Sequence, residues 1–196
     1  MAIERTLAII KPDGVQRGLV GEIMHRLERT GLKIIGMRMV WADKDLVARH
    51  YTGDEAYLKS VGQKALDAAT ERGHVMNETA LDIGQRVRES NMRYISTGPV
   101  VAMVLEGNTA VKTVRNIIGG TNPLTADIGT IRGDLTIDDF SQADTEQRSV
   151  RNLMHASGDV AEAEREIPLW FTNEELYKYQ TVMDKVLHDP NWDAEK

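Results

Sequence analysis

An α+β sandwich of the split βαβ kind is the fold class this sequence predicts, with helices on one face of a mainly antiparallel, four-stranded sheet. Two observations lead there. Strand and helix candidates follow one another in the order strand, helix, strand, helices, strand, helix, strand, helix. The 196 residues, 41% hydrophobic and 28% charged, suffice for one sizeable core, and neither an internal repeat nor a low-complexity tract points to another architecture.

Each element has its own signal. Thr6 to Ile10 is a short apolar run, which reads as a buried strand, and Lys11-Pro12-Asp13-Gly14 stops it with turn chemistry. Val20, Ile23, Met24 and Leu27 share one face of a helix over Val20 to Thr30, with Gly31 placed as a C-terminal cap. From Leu32 to Trp41, Ile35, Met37 and Met39 alternate with Ile34, Gly36 and Arg38, as in a second strand, and Asp43 then caps a short helix ending near Tyr51. Glu55 to Ser60, Gln63 to Arg72 and Thr79 to Tyr94 read as helices of an insertion, with breaks at Gly62 and Gly73. Val100 to Leu105 is the third strand, and Thr109 to Ile118 a helix that leads into the Gly119 to Pro123 loop. Leu124 to Arg148 lacks periodicity and reads as an extended loop with one helical turn near Thr145. Val150 to Met154 is the last strand candidate, and Asp159 to Glu166 a helix whose Asp159 and Glu162 suit a capping box. Together these make a ferredoxin-like order of elements with a helical insertion.

Composition excludes several function classes. Without cysteine there are no disulfides, thiolate metal sites or thiol nucleophiles. The Met1 to Arg5 start is charged and unlike a signal peptide, and no apolar stretch approaches the roughly 20 residues of a membrane span, so a cytoplasmic protein without membrane contact is expected. A net charge of −6 and only two Phe argue against the basic groove and aromatic platform of a nucleic-acid binder. Local anion binding needs only a few cations converging in a cleft.

Candidate chemistry gathers at element ends. Lys11 closes the first strand, Arg115 lies in the helix before the Gly-Gly-Thr-Asn-Pro loop with its Thr121, and Arg132 stands in Gly129-Thr130-Ile131-Arg132-Gly133-Asp134. Such cations with a loop hydroxyl suit a polyphosphate, because Arg binds phosphate oxygens bidentately and Lys supplies a compact charge. Neither a Walker A loop nor a protein-kinase signature is present. In Asn152-Leu153-Met154-His155-Ala156-Ser157 a histidine ends an apolar run, a hydroxyl follows two positions on, and Glu166 comes eleven residues after the histidine. That set makes either an oriented nucleophile or a buried structural histidine.

Six blocks in order resemble nucleoside diphosphate kinase: Glu4 to Asp13, Thr97 to Gly107, Gly119 to Pro123, Gly129 to Asp134, Asn152 to Ser157 and Glu166 to Phe171. The resemblance implies ping-pong phosphoryl transfer from a nucleoside triphosphate to a nucleoside diphosphate, with His155 as nucleophile, Glu166 orienting it and Ser157 beside Glu166. It further implies Lys11, Arg115, Thr121 and Arg132 as phosphate ligands, Asn152 on the sugar and phosphate side, and Tyr51 packed beside the lysine and histidine. Mg²⁺ would travel on the nucleotide phosphates, with no protein metal site, and the chain would form a homo-oligomer, hexamer or tetramer.

The chain departs from compact members of that family and resembles the longer, archaeal-type forms. One domain over 1–196 is expected, with a helical insertion at about 53–96, a loop insertion at about 135–150 and a C-terminal extension at about 172–196. The base-stacking residue is then Tyr57 or Leu58, and the opposite wall Ser149 or Val150. Aromatic Trp170, Phe171, Tyr177, Tyr179 and Trp192 mark a C-terminal segment expected to pack on a neighbour or on its own core. Gly158 stands where the family usually has Asp, which bears on the capping of the next helix and the reach of Glu166. A catalytically weak nucleotide-binding or scaffolding relative is the competing reading; the joint presence of Lys11, Arg115, Arg132, Asn152, His155 and Glu166 opposes it.

Overall fold

The computed structural model describes residues 3–194; Met1 and Ala2 of the N-terminal run and the last two residues of the C-terminal extension lie outside the described residues. Strands β1 (Ile3–Ile10), β2 (Lys33–Val40), β3 (Val100–Asn108) and β4 (Met154–Ala156) form one sheet in the order β2-β3-β1-β4, and every pairing is antiparallel. This is the expected split βαβ sheet. Helices α1 (Pro12–Gln16), α2 (Val20–Glu28), α3 (Lys44–His50), α4 (Glu55–Glu71), α5 (Ala80–Ile95), α6 (Ala110–Ile118), α7 (Ile131–Leu135), α8 (Phe140–Thr145), α9 (Val160–Trp170) and α10 (Val182–His188) surround it.

Helices cover both faces of the sheet, which corrects the expectation of one. Leu7 and Ile9 of β1 pack with Leu46, Val47, Ile95, Ile167 and Trp170, from α3, α5 and α9. Ala8 and Ile10, pointing the other way, pack with Ile23, Leu27, Val114, Ile118 and Ile131, from α2, α6 and α7. The physical reason was present in the sequence: Leu7 to Ile10 and Val100 to Leu105 have no polar residue on either alternate face, and such runs need cover on both.

Four further elements differ from expectation. Gly62 does not break a helix, because α4 runs through it to Glu71; a Cβ there would lie 1.7 Å from the Ala80 carbonyl oxygen, and one at Gly84 would lie 1.9 Å from that of Leu58. The two glycines let α4 and α5 cross backbone to backbone. Leu124 to Arg148 is no extended loop but carries α7 and α8 after a 3₁₀ turn at Pro123–Thr125; Thr130 and Asp139 cap the two helices. The last strand begins at Met154, not Val150, since Leu153 has φ 67° and cannot continue an extended backbone. In β2 the register slips between Ile34 and Gly36, a bulge that buries Ile35 and leaves Met37 and Met39 exposed on the side it was expected to share with them.

The C-terminal segment docks on that bulge. The Tyr177 N–H donates to the Ile35 carbonyl at 2.7 Å, and the Tyr179 hydroxyl donates to the Ile34 carbonyl at 2.7 Å. Gly36 makes room for the crossing, because a Cβ there would meet the Glu175 carbonyl oxygen at 3.0 Å. Trp170 and Phe171 are buried in the core, whereas Tyr177, Tyr179 and Trp192 remain largely exposed.

Candidate active site

Lys11 stands where β1 ends and α1 begins. Its backbone N–H donates to the Leu153 carbonyl at 2.7 Å, and its ammonium donates to Asn152 Oδ1 at 2.7 Å. Burial, reinforced by the nearby Arg132 cation, lowers its pKa to about 7. Arg132, in the first turn of α7, is equally buried. Its guanidinium donates to the carbonyls of Asn152 at 3.0 Å, Gly119 at 2.9 Å and Met154 at 2.7 Å, so it ties the Gly119–Pro123 loop to the approach to β4. Burial and the cation of Arg115 lower its pKa to about 10.

Asn152 sits between these groups, its Nδ2 donating to the Thr121 carbonyl at 3.0 Å. The next residue makes the bend that aims it. Leu153 at φ 67° is the centre of a γ-turn in which Met154 N–H donates to the Asn152 carbonyl at 2.7 Å. A positive φ costs a leucine about 1–3 kcal/mol. The Asp13 carboxylate secures the turn by accepting from the Leu153 N–H at 3.1 Å.

Beyond the turn, β4 pairs His155 with Ile9, which directs the imidazole to the face carrying α3 and α9. His155 Nε2 lies 3.1 Å from both carboxylate oxygens of Glu166, one of which also accepts from the Ser157 hydroxyl at 2.7 Å. Burial alone would raise the Glu166 pKa, but the charge and hydrogen bond of His155, then His50 and Ser157, outweigh it and hold it at about 2. An ionised carboxylate accepts, so Nε2 carries a proton, and in the neutral ring the lone pair is then on Nδ1. Among the described residues Nδ1 has no hydrogen-bond partner.

The Gly158 departure leaves this geometry intact. Asp159 caps α9 by accepting from Glu162 N–H at 2.8 Å, while the Glu162 carboxylate folds back onto Gly158 N–H at 2.6 Å. That is half of the expected capping box; the carboxylate reaches one residue too far upstream to complete it. The helix also continues past Glu166, through Pro168 to Trp170, which is buried.

Other candidate residues are placed less directly. Tyr51 is buried with its ring 6.5 Å from that of His155. Arg115, in the last turn of α6, is exposed, and Thr121 offers the cluster a carbonyl while its side chain faces outward. Leu58 is buried with its carbonyl against Gly84, whereas Tyr57 on the first turn of α4 is half-buried, its pKa raised to about 12 by burial and by Glu162 and Glu166. Of the two wall candidates, Val150 is buried and Ser149 donates its hydroxyl to Asn91 Oδ1 of α5 at 2.8 Å.

Three residues at the site escaped the sequence reading. His50, fully buried, stacks edge-to-face on His155 with centroids 4.5 Å apart and accepts from the Trp170 indole at 3.3 Å. Burial and then His155 lower its pKa to about 3, so it is neutral and acts as a wall against the nucleophile. Asp13 looked like a turn residue, and Tyr94 like a helix end. His50 had one signal, its place directly before Tyr51; the others had none, because their partners are more than 50 residues away in sequence.

Fold and site together define a phosphotransferase built on an antiparallel sheet, with a carboxylate-oriented histidine beside buried cations at strand and helix ends. The family model for nucleoside diphosphate kinase matches residues 4–61 and 80–176. The chain is 46% identical to the nucleoside diphosphate kinase of Pyrobaculum aerophilum over 181 residues, which cover 90% of this chain and 99% of that protein. A crystal structure of an NDP kinase from the same organism matches with a TM-score of 0.85 at 43% identity, covering 90% of this chain and 100% of the other. A nucleoside-diphosphate kinase from Borrelia burgdorferi, described as a transition state mimic with bound vanadate and ADP, matches with a TM-score of 0.77 at 34% identity, over 94% of this chain and 96% of that one. The chain belongs to the nucleoside diphosphate kinase family.

Proposed function

We propose that the chain moves the γ-phosphate of a nucleoside triphosphate to a nucleoside diphosphate by a ping-pong route through His155. The observation that carries this reading is the His155 ring held by Nε2 against the buried Glu166 carboxylate, with Nδ1 unpartnered among the described residues. The Nδ1 lone pair forms the bond to phosphorus, the bond to the β-phosphate oxygen breaks, and the diphosphate leaves with that electron pair. A second diphosphate reverses the step. Glu166 stabilises the positive charge that develops on the ring, and Ser157 holds the carboxylate.

Phosphoryl transfer asks mainly for alignment and charge neutralisation. Lys11, Arg115 and Arg132 supply the charge, Asn152 and Thr121 the polar contacts, Tyr51 the wall beside the histidine. Tyr57 stacks the base, which suits a half-buried aromatic better than Leu58, already used against α5. Mg²⁺ fits as cargo of the nucleotide, where it neutralises phosphate charge. Among the described residues the one set of three metal-type side chains close enough to share an ion is His50, His155 and Glu166, and two imidazoles suit Mg²⁺ poorly.

We read the chain as one catalytic domain with helical, loop and C-terminal additions. The break in the family match between residues 61 and 80 supports an inserted α4–α5 tip, narrower than 53–96. Exposed Met37, Met39 and Trp41 beside edge strand β2 support a homo-oligomer, tetramer or hexamer. No helix among the described residues is long and apolar enough to cross a membrane, and we place the protein in the cytoplasm. Incubation with ATP alone should release ADP and leave an acid-labile, base-stable phosphoprotein. His155→Ala should abolish both with nucleotide binding kept; transfer persisting near the wild-type rate in that variant would overturn the reading.

A further inference from the structure

We propose that Tyr94, in the last turn of α5, is a positioning residue whose ring face keeps the Lys11 ammonium charged and in place inside the protein. This rests on the phosphoryl-transfer reading above, in which Lys11 must meet the incoming phosphates as a cation.

A buried ammonium ordinarily has a carboxylate partner, and Lys11 forms no ion pair with any described residue. The carboxylate nearest in sequence, Asp13, accepts from the Leu153 N–H at 3.1 Å through one oxygen and makes no ion pair with the ammonium. The charged neighbours divide: Asp13 favours the charged lysine without pairing with it, whereas Arg132 from α7 and Arg151 from the segment before β4 push it toward its neutral form, and it in turn acts on His50 of α3. One neutral acceptor, Asn152 Oδ1, takes a hydrogen bond. The other contact is the Tyr94 ring, whose centroid lies 5.0 Å from the ammonium nitrogen. The negative face of an aromatic ring stabilises a cation at that distance, and more so away from water. The Arg151 guanidinium lies 4.3 Å from the same centroid, so one ring serves two cations that disfavour each other.

The ring, and not the hydroxyl, is the operative part. Among the described residues the Tyr94 hydroxyl is buried without a hydrogen bond of ordinary geometry, and it faces the Asp13 carboxylate rather than the ammonium. The ring is fixed by its place in the last turn of α5, which makes that helix a support of the phosphate site.

The experiment compares wild type, Tyr94→Phe, Tyr94→Leu and Tyr94→Met. Removing the ring should lower the pKa of Lys11, shifting the alkaline limb of kcat/KM downward by about one pH unit, the size of a desolvated cation–π contact. Near that limb the ringless variants should lose roughly tenfold, with the loss shrinking toward lower pH; Tyr94→Phe should keep the wild-type profile. Side-chain NMR of the Lys11 ε-carbon in the nucleotide-free protein, assigned by Lys11→Arg, should show the same displacement without reference to turnover. A uniform loss at every pH, a Phe variant that behaves as Leu, or an unmoved lysine titration would each overturn the proposal. Should wild type form no phosphohistidine, the functional reading falls, while the lysine titration still decides whether the ring holds the charge.

Discussion

Glu166 and Lys11 illustrate two opposite uses of burial at a single-residue scale. Glu166 titrates near 2 in the folded protein against an ordinary 4.5, so folding favours its carboxylate. Its contribution to stability is complete above pH 4.5 and is lost as pH falls toward about 2. Glu166→Gln should slow phosphorylation of His155 by roughly 10- to 100-fold, the size seen when the carboxylate behind a metal-bound histidine is altered. Rapid-quench measurement of phosphohistidine formation checks it, and an unchanged rate would remove the orienting role. Lys11 titrates near 7 when folded against 10.5. The unfolded chain therefore holds the proton across that window, and stability gains as pH rises through it. Wild type should become progressively more stable relative to Lys11→Met between pH 7 and 10.5, a trend that urea unfolding at several pH values would reveal. Residue identities at the site were legible because blocks such as Asn152 to Ser157 are compact in sequence. His50, Asp13 and Tyr94 were not, since their meaning lies in contacts that only folding creates.

At the scale of elements, close approach was harder to read than periodicity. Gly62 looked like a helix break because glycine lowers helix propensity, yet it and Gly84 are where two helices touch through their backbones. Gly84→Ala would drive a Cβ to within 1.9 Å of the Leu58 carbonyl oxygen, which cannot rotate away. The two helices must separate, with a stability loss of about 2 kcal/mol or more. Because Tyr57 stands next to Leu58 on α4, nucleotide KM should rise as well; thermal unfolding together with steady-state kinetics tests both effects. A variant as stable as wild type would mean that the helices cross more loosely than the geometry requires. The segment from Leu124 to Arg148 was misread for a related reason: helices of five or six residues show no period of their own and stand on caps such as Thr130 and Asp139.

Across the whole molecule, the C-terminal segment closes the sheet edge that β2 would otherwise present. Truncation after Phe171 would strip the carbonyls of Ile34 and Ile35 of their partners Tyr179 and Tyr177, and would free Lys33 from Asp184 and from the Tyr179 carbonyl. Tm should fall by roughly 4–8 °C, corresponding to about two lost hydrogen bonds at about 1 kcal/mol each. Phosphoryl transfer should survive, because Lys11, Asn152, His155 and Glu166 all precede the cut. Differential scanning fluorimetry with a coupled kinase assay is sufficient; loss of transfer in a folded truncation would place the segment in the site itself.

The sequence by itself determined the antiparallel α+β frame, the strands β1 and β3, and the cluster of Lys11, Arg132, Asn152, His155 and Glu166, because period-two apolar runs and short contiguous motifs are local properties of a chain. Only the tertiary structure decided that both faces of the sheet are covered, that α4 and α5 meet at two glycines, and that a strained turn at Leu153 aims Asn152 at Lys11. It also decided that Tyr94 at the end of α5 faces the Lys11 ammonium. Each of these depends on which distant segments compete for the same space, and such competition has no signature in any single stretch of residues.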